Sequence, residues 1–217
     1  MADTVTIETT THGRVLVEEP MTAASPGLIV AFHGYGQNAD DVLAEARQIP
    51  GASAWRIAAV QALHRFYARD HNTVVASWMT AQDRELAIAD NIAYIDAVVD
   101  RLQIGNGGIV FLGFSQGASM AYRAALLGRR AALGVIALGG DIPPELMARP
   151  ELEWPRALIG AGNADRWYDA GRLGRDDAWL SSRGVRHEVC RFDGGHEWTP
   201  SFRAAASVFL ASFASNP

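Results

Sequence analysis

The sequence predicts an α/β fold in which a mostly parallel central sheet is covered by helices on both faces. Strand-like and helix-like segments alternate along the chain, which is typical of parallel sheets whose strands are joined by helices. One of these segments, Gly27–Phe32, is a continuous apolar run, as expected for a strand buried on both sides. With 217 residues, of which 49% are apolar and 20% charged, the chain can form a sizeable hydrophobic core. We therefore expect residues 1–217 to form a single domain.

The predicted strands are short segments separated by helical segments or turns. The first two form a predicted hairpin around His12 and Gly13, with strands at Val5–Glu8 and Arg14–Val17. The remaining predicted strands are Gly27–Phe32, Arg56–Val60, Gly108–Leu112, Leu133–Leu138, Ala157–Gly160 and Arg186–Phe192.

The predicted helices occupy most of the intervals between these strands. In the segment Ala81–Leu102, apolar residues from Ile88 onward are spaced by 4, 3, 4 and 3 positions and form one helical stripe. Thr80 and Asp83 resemble a capping pair at its start. Thr199 is a predicted N-cap for the last helix, because a proline suited to the first helical position follows it. The other predicted helices are Asp41–Gln48, Gln116–Leu127, Asp169–Ser182 and Pro200–Ala214.

Composition and charge exclude several classes of partner and cofactor. The net charge of −5 and the isoelectric point near 5.6 argue against a nucleic-acid partner, which requires a basic face. The chain contains no lysine, so neither a P-loop nor a lysine Schiff base can form. Cys190 is the only cysteine, which excludes an intramolecular disulfide. The sequence has no HExxH, no Cys/His cluster and no GxGxxG opening a helix, so we expect neither a metal nor an organic cofactor.

The N-terminal residues and the hydropathy pattern bear on location. Residues 1–10 contain neither the basic segment nor the apolar segment of a signal peptide. No apolar run approaches the roughly 18 residues that a membrane span needs. We expect a cytoplasmic protein without a membrane span, and the sequence leaves its oligomeric state open.

A serine stands between two glycines in the stretch GFSQGAS, residues 113–119. The stretch follows the predicted strand Gly108–Leu112 and leads into a predicted helix. In the pattern G-x-S-x-G, a sharp strand-to-helix turn lifts the serine hydroxyl above the sheet, and the positions two residues away must be small to avoid a clash. The free N–H groups at the start of the helix would face a developing negative charge. We therefore predict Ser115 as a nucleophile; the alternative is a glycine-rich turn with a capping serine.

A serine hydroxyl needs a general base to become an effective nucleophile. His196 fits best, because it lies in the glycine-rich stretch DGGHEW between the last strand and the last helix. In doubly wound sheets, such loops return over the carboxyl edge. Asp165, just beyond the strand Ala157–Gly160, is the predicted acid that orients the imidazole, and the order serine, aspartate, histidine is that of the α/β-hydrolases. Asp169 and Asp193 are the alternative acids.

An oxyanion that forms during acyl transfer needs two N–H donors close to the serine hydroxyl. One predicted donor is the amide of Gln116, directly after the nucleophile. The other is expected from the loop HGYGQN, residues 33–38, which follows the strand Gly27–Phe32. Two glycines in this loop allow a tight turn that can aim an amide inward.

Five stretches together resemble one known family. In chain order they are HGYGQN, GFSQGAS, GGDIPPEL, GNAD and DGGHEW. They are similar to the phospholipase/carboxylesterase family of small α/β-hydrolases, which includes bacterial carboxylesterases and acyl-protein thioesterases. The likeness runs from about Leu28 to the C-terminus. It implies an α/β-hydrolase fold, a catalytic triad of Ser115, Asp165 and His196, and a second oxyanion donor at the amide of Tyr35.

The resemblance implies a serine hydrolase that cleaves carboxylic esters through an acyl-enzyme. We expect small-molecule esters with short to medium acyl chains, because no apolar segment is left over to form a lipase lid. Phe66, Tyr67 and Trp78 are the predicted pocket residues, with core packing as the alternative role. The stretch from His64 to Arg69 does not resemble the thioesterase branch. A thioesterase or lysophospholipase with the same triad is the alternative activity, and a catalytically silent binding protein is a second alternative.

Overall fold

The central feature of the computed structural model, which describes residues 2–21, 25–102 and 107–214, is a seven-stranded sheet. In chain order the strands are β1 (Arg14–Glu18), β2 (Gly27–Phe32), β3 (Arg56–Gln61), β4 (His64–Tyr67), β5 (Val74–Ser77), β6 (Gly108–Phe114), β7 (Gly134–Leu138), β8 (Arg156–Gly162) and β9 (His187–Phe192). The order in the sheet is β1-β3-β2-β6-β7-β8-β9, and every neighbouring pair is parallel except β1 with β3. The predicted mostly parallel sheet is confirmed.

Helices connect most of these strands, as the alternation in the sequence predicted. They are α1 (Ala39–Arg47), α2 (Arg84–Leu102), α3 (Gln116–Leu127), α4 (Pro144–Met147), α5 (Ala170–Ser182) and α6 (Pro200–Ala214). Helix α1 begins two residues earlier than predicted, because Asn38 and Asp41 form a reciprocal capping box at its start. The short helix α4 was not predicted, since its four residues are too few to show a helical period.

The helices cover both faces of the sheet, which confirms the predicted architecture. On one face, α1 and α6 contribute Leu43 and Phe209 to one buried cluster. On the other face, α2, α3 and α5 contribute Ile95, Met120 and Leu180 to a second cluster. Consecutive residues of β2 alternate between the two clusters, so neither face of this strand meets water. Each fully buried large apolar side chain stabilises the fold by roughly 1.5–3 kcal/mol.

The predicted N-terminal hairpin is wrong. Residues Val5–Glu8 form no strand, and the side chains of Val5 and Ile7 are 78% and 77% exposed. The predicted strand at Arg14–Val17 does form, as β1, but its antiparallel partner is β3. The alternating pattern at Val5–Glu8 had no apolar surface to cover, whereas β3 offered β1 a buried partner along its whole length.

Helix α2 begins at Arg84, three residues later than predicted. The Thr80 hydroxyl donates to the carbonyl of Gln82 and caps no helical amide, so the predicted capping pair is also wrong. Asp83 has a φ of 50°, in the left-handed region, which turns the chain into the helix.

The antiparallel pair β4–β5 was not predicted as strands. All four residues of β4 are exposed, and their sequence, HRFY, shows neither a continuous apolar run nor an apolar–polar alternation that would have predicted a strand. The turn between the strands is stabilised by Asp70, whose carboxylate accepts hydrogen bonds from the amides of Asn72 and Thr73. The end of β5 lies beside the loop that follows β2, because the amide of Ala76 donates to the carbonyl of Gln37.

Two helical glycines provide a matched test of the close approach between α3 and β2. A Cβ at Gly117 would lie 2.2 Å from the carbonyl oxygen of Phe32, whereas a Cβ at Gly174 in α5 would meet nothing within 4 Å. We expect Gly117→Ala to lower the free energy of unfolding by about 1–3 kcal/mol, because backbone would have to move. Gly174→Ala should raise it by roughly 0.5–1 kcal/mol. Urea unfolding of both variants is the measurement, and similar effects for the two would contradict this packing.

Candidate active site

Four loops meet at one edge of the sheet and build the candidate site. Strands β2, β6, β7, β8 and β9 are mutually parallel, so their carboxyl ends lie at the same edge. Ser115 directly follows β6, Asp165 follows β8 and His196 follows β9. The loop of residues 33–38 follows β2. Residues that are up to 163 positions apart in the sequence, counted from 33 to 196, therefore converge at this edge.

Ser115 stands on a strained turn between β6 and α3. Its φ of 54° and ψ of −120° are conformations that non-glycine residues rarely adopt, and such strain commonly occurs at functional sites. Its amide donates to the carbonyl of Leu138 at 2.8 Å, which fixes the turn to β7. A Cβ at Gly113 would lie 2.2 Å from the carbonyl oxygen of Gly117, and a Cβ at Gly117 would lie 2.2 Å from that of Phe32, so neither position has room for a side chain. The turn exposes the Ser115 hydroxyl above the sheet edge.

A chain of hydrogen bonds joins Asp165, His196 and Ser115. The Nε2 atom of His196 lies 2.8 Å from Oγ of Ser115, and its Nδ1 atom lies 2.7 Å from Oδ2 of Asp165. The carboxylate of Asp165 accepts only, so Nδ1 carries the proton and Nε2 is free to accept from the serine hydroxyl. This arrangement can remove the proton of the hydroxyl while the imidazole stays oriented.

Asp165 is held rigidly as well as buried. The residue is only 5% exposed, and its Oδ1 atom accepts hydrogen bonds from the amides of Trp167 and Tyr168 at 2.8 and 2.9 Å. With one oxygen bound to these two amides and the other to His196, the buried carboxylate is fully partnered, as a buried charge must be.

The two alternative acids have other partners in the structure. Asp169 is the N-cap of α5, and its side chain accepts from the amide of Arg172 at 2.9 Å. Asp193 accepts from the side-chain amide of Asn163 at 2.8 Å. Asp165 is therefore the one of the three candidates whose carboxylate reaches the imidazole of His196.

The imidazole of His196 is closely packed by its neighbours. Gly139, which follows β7, has a φ of 65°, and a Cβ there would lie 2.9 Å from Cε1 of His196. The ring of Phe114 also contacts the imidazole, with the two ring centroids 4.9 Å apart. In the same loop, Glu197 accepts a hydrogen bond from the amide of Gly195 and so stabilises the loop. These contacts restrict rotation of the imidazole away from Ser115.

The amides of Tyr35 and Gln116 are available to a ligand. In the loop after β2, the amide of Gly34 donates to Oε1 of Gln37 at 2.8 Å, and the amide of Gly36 donates to the carbonyl of Ala76 at 3.1 Å. Among residues 2–21, 25–102 and 107–214, no acceptor takes the amides of Tyr35 or Gln116. Gln116 is the first residue of α3, where amides lack intrahelical partners.

His33 supports this loop from inside the core. It is fully buried; its Nδ1 donates to the carbonyl of Gly34 at 2.7 Å, and its Nε2 accepts from the amide of Ala62 at 3.1 Å. Both bonds require a neutral ring with the proton on Nδ1, since a doubly protonated ring would direct a donor at the amide of Ala62. Burial lowers the pKa of His33 below its ordinary value of 6.5.

The three predicted pocket residues lie in two different environments. Trp78 is 0% exposed and packs against the rings of Phe32 and His33, so it lies in the core, which was its alternative role. Its placement there follows from its indole N–H, which donates to the carbonyl of His33 at 2.8 Å. Phe66 and Tyr67 lie on β4 and are 37% and 64% exposed.

The side chains of Gln37 and Gln116 were missed as parts of the site. Gln37 occupies the amide of Gly34, and Gln116 binds the chain after β5 through its side-chain amide. The only sequence feature that pointed to these two side chains was their position within the stretches HGYGQN and GFSQGAS. Local spacing does not reveal hydrogen-bond partners that are distant in sequence, such as Trp78 and Met79 for Gln116.

Two observations concern metals and membranes. Within the part of the chain that the structure describes, no three His, Cys, Asp or Glu side chains are grouped closely enough to hold a metal ion. Over the same residues, no helix has both the length and the hydropathy needed to cross a membrane.

The fold and the arrangement of this edge define the chain as a protein with an α/β-hydrolase fold. A family model described as Phospholipase/Carboxylesterase matches residues 12–152, which is well over half of the chain. The chain therefore belongs to the phospholipase/carboxylesterase family. This membership supports an esterase-type hydrolase. The matched range includes Tyr35, Ser115 and Gln116, whereas Asp165 and His196 lie beyond it. A search of curated proteins gave no match.

Solved structures share the fold over nearly the whole chain. The crystal structure of esterase PE8 is 23% identical, with a TM-score of 0.74, and the alignment covers 94% of this chain and 100% of that one. Zea mays acyl-protein thioesterase 2 is 17% identical, with a TM-score of 0.72 and coverages of 93% and 99%. The Bacillus cereus carboxylesterase is 15% identical, with a TM-score of 0.71 and coverages of 93% and 94%. These likenesses confirm the α/β-hydrolase fold.

The lowered pKa of His33 gives a testable pH dependence. The unfolded chain takes up a proton at this residue near pH 6.5, before the folded chain does, so stability is fully present above pH 6.5 and falls as pH decreases below it. We expect this one group to lower the free energy of unfolding by up to about 1.4 kcal/mol per pH unit in that range. His33→Gln should show a shallower dependence between pH 7.5 and pH 5.5 in urea unfolding. The exposed His12, changed to Gln, is the control, and an unchanged slope in His33→Gln would contradict the account.

Proposed function

We propose that the protein is a serine hydrolase that cleaves carboxylic esters of small, short- to medium-chain substrates through an acyl-enzyme. The observation that carries the proposal is the hydrogen-bond chain from Asp165 through His196 to the Ser115 hydroxyl, with distances of 2.7 and 2.8 Å. The nucleophile, the base and the orienting acid of acyl transfer need this connectivity. Family membership supports the same class of reaction.

In the acylation step, Oγ of Ser115 attacks the ester carbonyl carbon while its proton passes to Nε2 of His196. The carbonyl oxygen becomes an oxyanion, for which the free amides of Tyr35 and Gln116 are the proposed donors. Asp165 stabilises the imidazolium that forms, because its carboxylate faces the protonated Nδ1. The C–O bond to the alcohol then breaks, and His196 gives its proton to the leaving oxygen.

In the deacylation step, a water molecule repeats the sequence. His196 takes a proton from the water, whose oxygen attacks the acyl carbon of the Ser115 ester. The second tetrahedral intermediate collapses with release of the carboxylic acid, and the proton returns to Oγ of Ser115. Every step uses protein side chains, amides and water alone, so the proposal requires no cofactor.

The substrate class rests on the surroundings of the oxyanion loop. The rings of Tyr35 and Phe66 lie 5.7 Å apart, whereas Tyr67, the next residue of β4, lies on the opposite face of that strand. Tyr35 and Phe66 offer a small aromatic surface that an acyl chain or an alcohol group could cover. Each added methylene should strengthen binding by at most ~0.8 kcal/mol until that surface is covered. A series of p-nitrophenyl esters of increasing acyl length would reveal the preference.

Hydrolysis of thioesters by the same three residues is the second candidate. One structural neighbour is named an acyl-protein thioesterase, whereas the stretch from His64 to Arg69 in this chain does not resemble that branch. Matched oxygen and sulfur esters of one acyl group separate the two, because only the leaving group differs. A protein that binds esters without cleaving them would instead fail to react with a fluorophosphonate probe.

Replacement of Ser115 is the direct test of the nucleophile. Ser115→Ala should lower kcat for p-nitrophenyl butyrate by about 10⁴-fold or more, since removal of a nucleophile leaves only binding and oxyanion stabilisation. The variant should remain folded, because the hydroxyl faces the site rather than the core. Steady-state kinetics and a thermal melt check both statements. Activity within tenfold of the wild type would refute the serine mechanism.

Replacement of the three carboxylates by amides tests the orienting acid. Asp165→Asn should lower kcat/KM by several orders of magnitude, because the amide favours the wrong tautomer of His196. Asp193→Asn and Asp169→Asn should stay within about tenfold of the wild type in activity. Asp169→Asn keeps an N-cap residue, so its stability should change by less than about 1 kcal/mol. If either of these two collapsed while Asp165→Asn remained active, the assignment of the acid would be wrong.

A further inference from the structure

The side chain of Gln116 binds the segment formed by the end of β5 and the two residues directly after it. Its Oε1 atom accepts from the amide of Trp78 at 2.9 Å and lies 3.3 Å from the hydroxyl of Ser77. Its Nε2 atom donates to the carbonyl of Met79 at 2.9 Å. The side-chain amide of Gln116 thus both accepts from and donates to the backbone of this segment, as the peptide group of a neighbouring strand would. These bonds also restrict the position of the Gln116 backbone.

The same segment also binds the loop that carries Tyr35. The indole N–H of Trp78 donates to the carbonyl of His33 at 2.8 Å. The carbonyl of Ala76 accepts from the amide of Gly36 at 3.1 Å, and its amide donates to the carbonyl of Gln37 at 2.8 Å. The loop is therefore fastened on both sides of Tyr35 to residues 76–79, which we call the brace.

The brace is itself buried and fastened from behind. Ala76, Ser77 and Trp78 are 0–2% exposed. The side-chain amide of Asn91, in α2, donates to the carbonyl of Trp78 at 2.8 Å. Hydrogen bonds in such a dry environment are costly to break, because the freed groups have no water to replace the partner.

The two proposed oxyanion donors come from different strands. Strands β2 and β6 pair as far as Phe32 with Gly113, and beyond that point the two segments are no longer joined by strand pairing. Backbone contact between Gly117 and the end of β2 sets how closely α3 approaches. Past the last paired residues, the brace is the element that hydrogen-bonds both to the Tyr35 loop and to Gln116.

We propose that the brace fixes the distance between the amides of Tyr35 and Gln116, and that Trp78 and the side chain of Gln116 are positioning residues for the oxyanion. The inference rests on the proposed function. Donors of an oxyanion hole act only when they lie within about 2.7–3.1 Å of the position that the charged oxygen will occupy. A displacement of a few tenths of an ångström therefore weakens transition-state binding more than it weakens binding of the neutral ester.

Two substitutions separate positioning from simple stability. Trp78→Phe removes the indole donor to His33 but keeps an aromatic ring, and Gln116→Met removes the side-chain amide but keeps its length. Trp154→Phe is the matched control: the indole N–H of Trp154 is buried and has no hydrogen-bond partner among the described residues, so this change breaks no such bond. Thermal melts and near-ultraviolet circular dichroism report whether each variant is folded.

The readouts are kcat and KM for p-nitrophenyl butyrate and Ki for an alkyl trifluoromethyl ketone. Oγ of Ser115 attacks the carbonyl carbon of the ketone, and its proton passes to His196. The oxyanion of the resulting hemiketal occupies the same position as the oxyanion of the tetrahedral intermediate in ester hydrolysis. We expect Trp78→Phe and Gln116→Met each to lower kcat about 10- to 100-fold, with KM within twofold. The Ki should rise by the same factor as kcat falls, and Trp154→Phe should match the wild type in all three values.

A double variant adds a second criterion. If Trp78 and Gln116 act through the one brace, the losses of the two single variants should not multiply, and the double variant should lose much less than their product. If Trp78→Phe is poorly folded, the test rests on Gln116→Met alone, which must still show the coupled fall of kcat and rise of Ki.

Failure of the inference differs from failure of the proposed function. An active wild type with folded variants whose kcat and Ki stay within threefold would overturn the brace alone, as would a rise in KM with unchanged kcat. A wild type that neither hydrolyses esters nor binds the ketone would overturn the serine mechanism and the brace together.

Discussion

The close approach of α3 to the ends of β2 and β7 is the constraint on which the candidate site depends. A Cβ at Gly117 would lie 2.2 Å from the carbonyl oxygen of Phe32, and a Cβ at Gly140 would lie 2.4 Å from that of Ser115. Backbone therefore meets backbone on both sides of the nucleophile turn. This packing fixes the left-handed conformation of Ser115 and places the first amide of α3 beside the loop after β2. Side chains at either glycine would separate these segments, and the donors and the hydroxyl would no longer share one edge.

The electrostatic arrangement of the site follows from the same convergence of strand ends. A buried carboxylate is costly unless its oxygens are partnered, and Asp165 has the amides of Trp167 and Tyr168 on one oxygen and His196 on the other. The proton on Nδ1 of His196 is thereby fixed, which leaves Nε2 directed at Ser115. The carboxylate of Asp165 thus sets the tautomer of His196, although it lies two hydrogen bonds away from Oγ of Ser115. Contacts with Phe114 and Gly139 restrict rotation of the imidazole.

Much of the fold could be predicted from sequence because the central strands of the sheet are buried on both faces. Continuous apolar runs such as Gly27–Phe32 have few alternatives to a central parallel strand, and the observed bounds differ from those predicted by at most two residues for these strands. The prediction failed for segments whose side chains are exposed. Val5–Glu8 alternates like a strand but has nothing to cover, and β4 is exposed, so neither carries a pattern that decides its structure.

The candidate site could also be predicted from the sequence, because its residues follow predicted strands. Ser115, Asp165 and His196 each follow a predicted strand, and parallel strands bring such positions to one edge. The environment of Trp78 could not be predicted from the sequence, because only the folded structure shows that its indole N–H donates to the carbonyl of His33. An aromatic side chain near a site in sequence can line a pocket or support the loop behind it, and spacing does not distinguish these roles.

The measurement that tests the central claim most directly is the capture of an acyl-enzyme. The protein is mixed with excess p-nitrophenyl acetate, quenched in acid within milliseconds, and its intact mass is determined before peptide mapping. The account predicts a burst of p-nitrophenol, a mass increase of one acetyl group per chain, and the acetyl group on the Ser115 hydroxyl. Hydrolysis of the ester without an adduct, or with the acetyl group on another residue, would contradict it.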